Sequence, residues 1–420
     1  MLRFLAMLLI GCALWAGAGA AARAGEAIVA RATLPLSFEG GALGGPGAEA
    51  LVAAAADAQF VILIESHNDA ATPAITADLF RRLHAAHGFD HLALEQDPFG
   101  MEAASAPDRR GRLDAIAAYA RAYPYSFTFA TDEELALIAA AGRISTARSQ
   151  PAWGVDQAFG AAAALEELLG LAGTAEARCL AAGLLADARA DEGRRGADGR
   201  RDQAAHHFLS RAEGLEARLA ALRAAMAPAE GSRAAELLEA LQVSADIYSY
   251  YRRADEPGAD GAPLGLLNNW VREDWMKRRF LHHYRAAERA GGRPPKVLVK
   301  AGYWHAVRGR GPGNVFTLGN FLHEFAIANG RTALSVQVLP LREWWPDHGA
   351  VDPEYRVLLA PDAMDRPSLV DLRPIRAHVH RGHRFGLDDA ALRNFRDLVF
   401  GVDFALFVPS EPGGYSLTTR

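Results

Sequence analysis

Phe60-Val-Ile-Leu-Ile64 runs directly into Glu65-Ser66-His67, and the same pattern recurs three times. His91-Leu-Ala-Leu94 leads into Glu95, Ala152-Trp-Gly-Val155 into Asp156, and Lys296-Val-Leu-Val-Lys-Ala301 into Gly302-Tyr303-Trp304-His305. Short apolar runs of this kind fit strands buried on both faces of a parallel sheet. Loops at the carboxyl ends of such strands converge on one crevice. Glu65, His67, Glu95, Asp156 and His305, though distant in sequence, are therefore expected to share one site.

Working outward, residues 72 to 87 carry Ile75, Leu79, Leu83 and Ala86 on one helical face, with Pro73 near the start. The segment lies between the first two strands and completes a β-α-β unit. Its right-handed crossover brings Glu65, His67 and Glu95 to the same sheet edge. Helical patterns follow at 111 to 122 and 132 to 148. From about 158 to 290 the chain is rich in Ala, Leu, Glu and Arg, with breaks near 227 to 231 and 257 to 265. This composition predicts a largely helical insertion walling the crevice. Strand patterns return at 296 to 301, 332 to 339, 355 to 360, 368 to 373 and 401 to 408, with a helix over 315 to 328. The expected fold is α/β: a central, mostly parallel sheet flanked by helices, with the helical insertion.

Residues 1 to 24 have the layout of a secretory signal peptide: Arg3, an apolar stretch from Phe4 to Trp15, then small residues ending Ala22-Arg23-Ala24. Residues 25 to 420 then form the α/β domain. Leu9-Ile10-Gly11-Cys12 also resembles a lipobox, so a lipidated Cys12 is the one route to membrane attachment. Either processing predicts export to the periplasm or cell envelope. Removal of residues 1 to 24 takes away Arg3 and Arg23 and no acid, moving the formal charge from −5 to −7. Such a chain gives no reason to expect nucleic acid as a partner. Of the two cysteines only Cys179 would remain, so no internal disulfide can form.

A histidine beside carboxylates can take a proton from water, because the anion orients the ring and raises its basicity. The same set can hold a divalent metal that acidifies a bound water. The spacing does not choose between these. The sequence lacks a Gly-x-Ser-x-Gly elbow, paired CxxC motifs, HExxH and a P-loop. Against a functional reading, Asp156 is also a natural helix cap, and Arg272 with Asp274 an ordinary ion pair. His206-His207, His282-His283 and His378-Val-His380-Arg-Gly-His383 read as clusters that are mostly inert.

Ile-Leu-Ile-Glu65-Ser-His67-Asn-Asp69, Leu-Ala-Leu-Glu95 and Gly302-Tyr-Trp-His305 together resemble the erythromycin esterase, ChaN and Tiki superfamily. Trp-Gly-Val-Asp156-Gln, Val-Arg272-Glu-Asp274-Trp-Met276 and Thr317-Leu-Gly319-Asn-Phe-Leu322 add to the likeness, which covers roughly 60 to 325. The resemblance implies that His67, Glu95 and His305 line the site, with Glu65 as the acid before the first histidine. The chain departs from erythromycin esterases in having Glu-x-His instead of Glu-x-x-His. Ile64 stands in place of a glycine, and Gly302 where the first histidine of a His-Asn-x-His pair would fall. These forms are more similar to the ChaN and Tiki branches, described as haem-binding lipoproteins and metal-dependent peptidases.

The expectation is an exported hydrolase of an ester, amide or peptide bond in a small molecule or peptide. His67, Glu95, His305 and Glu65 would be catalytic, or ligands if a divalent metal is bound, and Asp156, Arg272 and Tyr303 would bind substrate. The alternative is a ChaN-like protein binding haem or iron, with Tyr303 and His305 suited to iron.

Overall fold

The computed structural model describes residues 25–148, 150–196, 208–211, 214–360 and 363–418. The expected signal peptide, Cys12 and His206-His207 lie outside the described residues. The strands are β1 (Thr33–Pro35), β2 (Ser37–Glu39), β3 (Ala42–Gly44), β4 (Ala58–Glu65), β5 (His91–Leu94), β6 (Ala152–Gly154), β7 (Val297–Gly302), β8 (Thr332–Leu341), β9 (Ser368–Asp371) and β10 (Phe404–Pro409). Eight of them form one sheet in the order β1-β9-β10-β8-β4-β7-β5-β6. Pairing is parallel from β10 through to β6, and antiparallel only where β9 meets β1 and β10. The α/β reading therefore holds.

Alternation along the central strands divides the interior into two layers. Phe60, Ile62 and Ile64 of β4, with Val297, Val299 and Ala301 of β7, enter one core. Val61, Leu63 and Leu298 enter the other. Helix α1 (Ala71–His87) follows β4 and packs Ile75, Leu79 and Leu83 into the second core, as its periodicity predicts. Helix α2 (Asp132–Ile144) covers the same face.

Between β6 and β7 the described residues are mostly helical: α3 (Ala162–Leu171), α4 (Ala175–Gly196), the short α5 (Phe208–Arg211), α6 (Leu215–Met226), α7 (Arg233–Arg252) and α8 (Leu264–Gly291). Leu165, Leu184, Leu219, Leu241 and Trp275 build a third core from these helices. After β7 come a single helical turn, α9 (Tyr303–Ala306), and α10 (Leu318–Ala328).

One expected strand is absent. Residues 355 to 360 fall in a helical turn, Pro353–Arg356, and the bend after it. Asp352-Pro353 starts that turn, since proline at the first helical position has its φ preset and needs no N–H partner. Val357 and Leu358 still pack inward, against the first core. Among the described residues no helix is long and apolar enough to cross a membrane.

Candidate active site

Four neighbouring strands, in the spatial order β4, β7, β5, β6, deliver the polar groups. Glu65 pairs in register with Gly302, and the Glu95 N–H donates to the Lys300 carbonyl at 3.0 Å. Beyond β4, Asn68 adopts a left-handed φ of 69°, a conformation asparagine tolerates. Asp69 Oδ1 then accepts from the N–H groups of Ala71 and Thr72 at the start of α1. His67 is fixed in the turn between these two anchors.

The His67 ring lies between two buried carboxylates. Its Nδ1 is 3.3 Å from Glu65 Oε1, and its Nε2 is 3.8 Å from Glu95 Oε1. The Nδ1 contact is off the line of a hydrogen bond, so both buried atoms lack a full partner. Phe129 stacks on the ring at 4.0 Å between centroids. Burial by itself lowers the His67 pKa, but Glu95 and Glu65 outweigh it and raise it above the ordinary value. One third of the side chain is still exposed, enough for water to reach it.

Lys300 was not singled out from the sequence. It sits on the same face of β7 as Leu298, beside Glu65 on β4, and is fully buried. Its Nζ donates to Glu65 Oε2 at 2.6 Å and lies 3.0 Å from Glu134 Oε2 of α2. Burial opposes the Glu65 charge, yet Lys300 and His67 prevail and hold its pKa low. Burial, opposed by Lys300 and assisted by Glu65, pushes that of Glu134 up. Gln96 Nε2 donates to Glu134 Oε1 at 3.2 Å and to the Phe129 carbonyl at 2.7 Å, tying this ion cluster to the ring under His67.

On the other side, Arg272 of α8 clamps two acids. Its Nε and Nη2 donate to Asp156 at 2.9 and 2.7 Å, and Nη2 also donates to Glu95 Oε1 at 2.9 Å. Glu95 Oε2 accepts from the Gly302 N–H at 2.7 Å. Burial opposes the Glu95 charge, but His305, His67 and Arg272 together hold its pKa down at about 2. His305 Nε2 is 3.5 Å from Glu95 Oε1, and its Nδ1 is 2.5 Å from Glu273 Oε1. Glu273 Oε2 accepts from the Leu318 N–H at the start of α10.

Glu273 therefore takes the inward role, whereas Asp274, the acid in the motif, is exposed. The Leu-Gly-x-x-Leu segment has its own local reason. A Cβ on Gly319 would lie 1.9 Å from the Ala306 carbonyl oxygen, so glycine allows α10 to pack on the turn that carries His305.

Gly302 is equally constrained. A Cβ there would come within 2.7 Å of His67 Nε2 and 3.3 Å of Glu95 Oε2. The space beside residue 302 is filled by the His67 ring itself. The glycine is thus part of how this chain seats its histidine.

His67, Glu95 and Arg272 line a cavity of about 240 Å³ with Phe129, Tyr248 and Asn268. The remaining expected residues fall elsewhere. Asp156 is wholly buried beneath Arg272 and outside the cavity wall, because its carboxylate is consumed by the guanidinium. His305 is also buried, with both ring nitrogens turned to carboxylates. Tyr303 lines a different cavity, with Arg308 and Phe400. His283 is buried and stacks on Trp153. Glu65, His67 and Glu95 can each offer one donor atom within 4.8 Å of the others, a spacing that admits a metal ion.

No family model matches the chain, and no curated protein is similar to it. Solved structures do match. An erythromycin esterase mutant, EreC, in its open conformation superposes with a TM-score of 0.52 at 15% identity, over 87% of this chain and 94% of that one. The fold is that of an erythromycin esterase. The same fold is found in a succinoglycan biosynthesis protein, with a TM-score of 0.53 at 13% identity over 93% of this chain and 98% of that one. A Bacillus cereus protein gives 0.52 at 12% over 94% and 98%. The resemblance drawn from the strand-end motifs thus agrees with the three-dimensional likeness.

Proposed function

We propose that the protein is an exported hydrolase that cleaves an ester, amide or peptide bond in a small molecule or peptide, using water deprotonated by His67. The observation that carries this reading is the placement of a solvent-reachable histidine between two buried carboxylates at the wall of a cavity. Glu65, fixed by Lys300, and Glu95, fixed by Arg272, orient the ring and stabilise the imidazolium that forms when it takes the proton. Nε2 is the nitrogen available to water, since Nδ1 is buried against Glu65. Arg272 presents the one guanidinium among the side chains lining the cavity, and in this reading it meets the negative charge that develops on the carbonyl oxygen. His305 acts through Glu95.

A divalent ion is the second reading, favoured by the paired orphan atoms Glu65 Oε1 and His67 Nδ1. Those two donors fit an ion, which when bound would acidify a coordinated water. Glu95 would complete the set while also holding Arg272.

The test is a screen of ester, amide and peptide substrates on protein of known metal content, alongside His67→Ala and Glu95→Gln. Turnover lost in both variants supports the reading, and turnover unchanged in His67→Ala rejects it. Activity that needs stoichiometric metal selects the second reading.

A further inference from the structure

A cavity of about 620 Å³ lies at the opposite end of the sheet from the candidate active site. It is bordered by the amino ends of β5 and β7 and the loops entering β6 and β8. Arg148, Arg293, Lys296 and Arg331 line it, against a single acid, Asp90. Asp90 is already engaged: its Oδ1 lies 3.0 Å from His84 Nδ1 and accepts from Thr146 Oγ1 at 3.0 Å. The three arginine side chains make no ion pair or hydrogen bond among the described residues. Lys296 donates to the Ala56 carbonyl at 2.8 Å, and its ammonium stands over the Phe89 ring at 5.3 Å from the centroid.

The cations feel one another. Burial first, then Arg331 and Arg293, lower the Lys296 pKa, with Asp57 pulling the other way. Helices α1, α8 and α10 also end at this edge. Each such end carries roughly half a negative charge, confined to its last turn, so the helices offset only part of four full positive charges. Guanidinium groups, through their fork of N–H donors, match phosphate oxygens especially well.

We propose that this cavity is a second binding site, for a phosphate-bearing anion gripped by Arg148, Arg293, Arg331 and Lys296. The phosphate can belong to a free small molecule or to a phospholipid headgroup.

Calorimetric titration of the purified protein with pyrophosphate, and co-sedimentation with phosphatidylglycerol vesicles against phosphatidylcholine vesicles, test the proposal. Arg293→Glu/Arg331→Glu serves as the control, because both side chains are exposed and unpaired. Saturable pyrophosphate binding near one per chain, weakened more than about tenfold in the variant, supports the proposal and identifies a free phosphate compound. Phosphatidylglycerol-selective sedimentation lost in the variant supports it with a lipid headgroup as the source. Absence of both, or binding that survives the double charge reversal, overturns it. So does a variant whose only change is lower thermal stability, since the cations would then serve the helix ends alone.

Discussion

Lys300 Nζ lies 2.6 Å from Glu65 Oε2 in a place where neither side chain meets solvent. A buried lysine between two glutamates is stable only while all three stay together, because each charge removed leaves another without compensation. Lys300→Met is therefore expected to destabilise the protein by about 3–5 kcal/mol. Adding Glu134→Gln should recover part of the loss. Urea unfolding of the wild type, the single variant and the double variant measures this.

If His67 deprotonates water as proposed, it sets the pH dependence of turnover. Its pKa is raised, so the imidazolium persists beyond the ordinary value of 6.5 and the free base appears only above it. Turnover should rise with pH through a midpoint above 6.5, and His67→Ala should lower it by about 10²–10⁴-fold. The same shift contributes stability that is fully present below the unfolded-state pKa and lost as pH climbs through the folded one. A profile flat between pH 6 and 9 would contradict the assignment.

Gly302→Ala should displace His67, given the 2.7 Å approach of the added carbon to Nε2. The expected result is a fall in kcat/KM of about 10²-fold, the scale of a 1 Å misplacement of a reacting group. Comparing the His67 ring resonances of the two proteins shows whether the ring has moved.

Acid should unfold the protein partly through Glu95. Its pKa, held at about 2 against an ordinary 4.5, means that its contribution is whole above pH 4.5 and disappears as pH falls towards 2. In Glu95→Gln the stability curve should be flatter across that window, when followed by denaturant midpoints at stepped pH.

Much of the sheet was legible because strands buried on both faces write themselves as unbroken apolar runs, and the four that end in polar groups proved to be spatial neighbours. Residues 355 to 360 misled because Val357-Leu358-Leu359 is apolar for tertiary reasons, while Asp352-Pro353 dictates a helical turn. Lys300 was visible as a charge inside an apolar strand, but its partner Glu134 lies on a helix whose approach to β7 is a long-range matter. The choice of Glu273 over Asp274 was likewise hidden. Adjacent helical positions point about 100° apart, and only the contact with His305 fixes which one faces inward.

The chemical groups are anchored on strand ends and their ion partners, whereas Ile247, Tyr248, Tyr251 and Asn268 reach the cavity from α7 and α8. On the proposed reading, the proton-transfer groups and the side chains that would meet a substrate thus come largely from separate parts of the chain. Variation in those helical side chains can retune which molecules are admitted while the proton-transfer apparatus stays intact, so mutational libraries aimed at new substrates belong there.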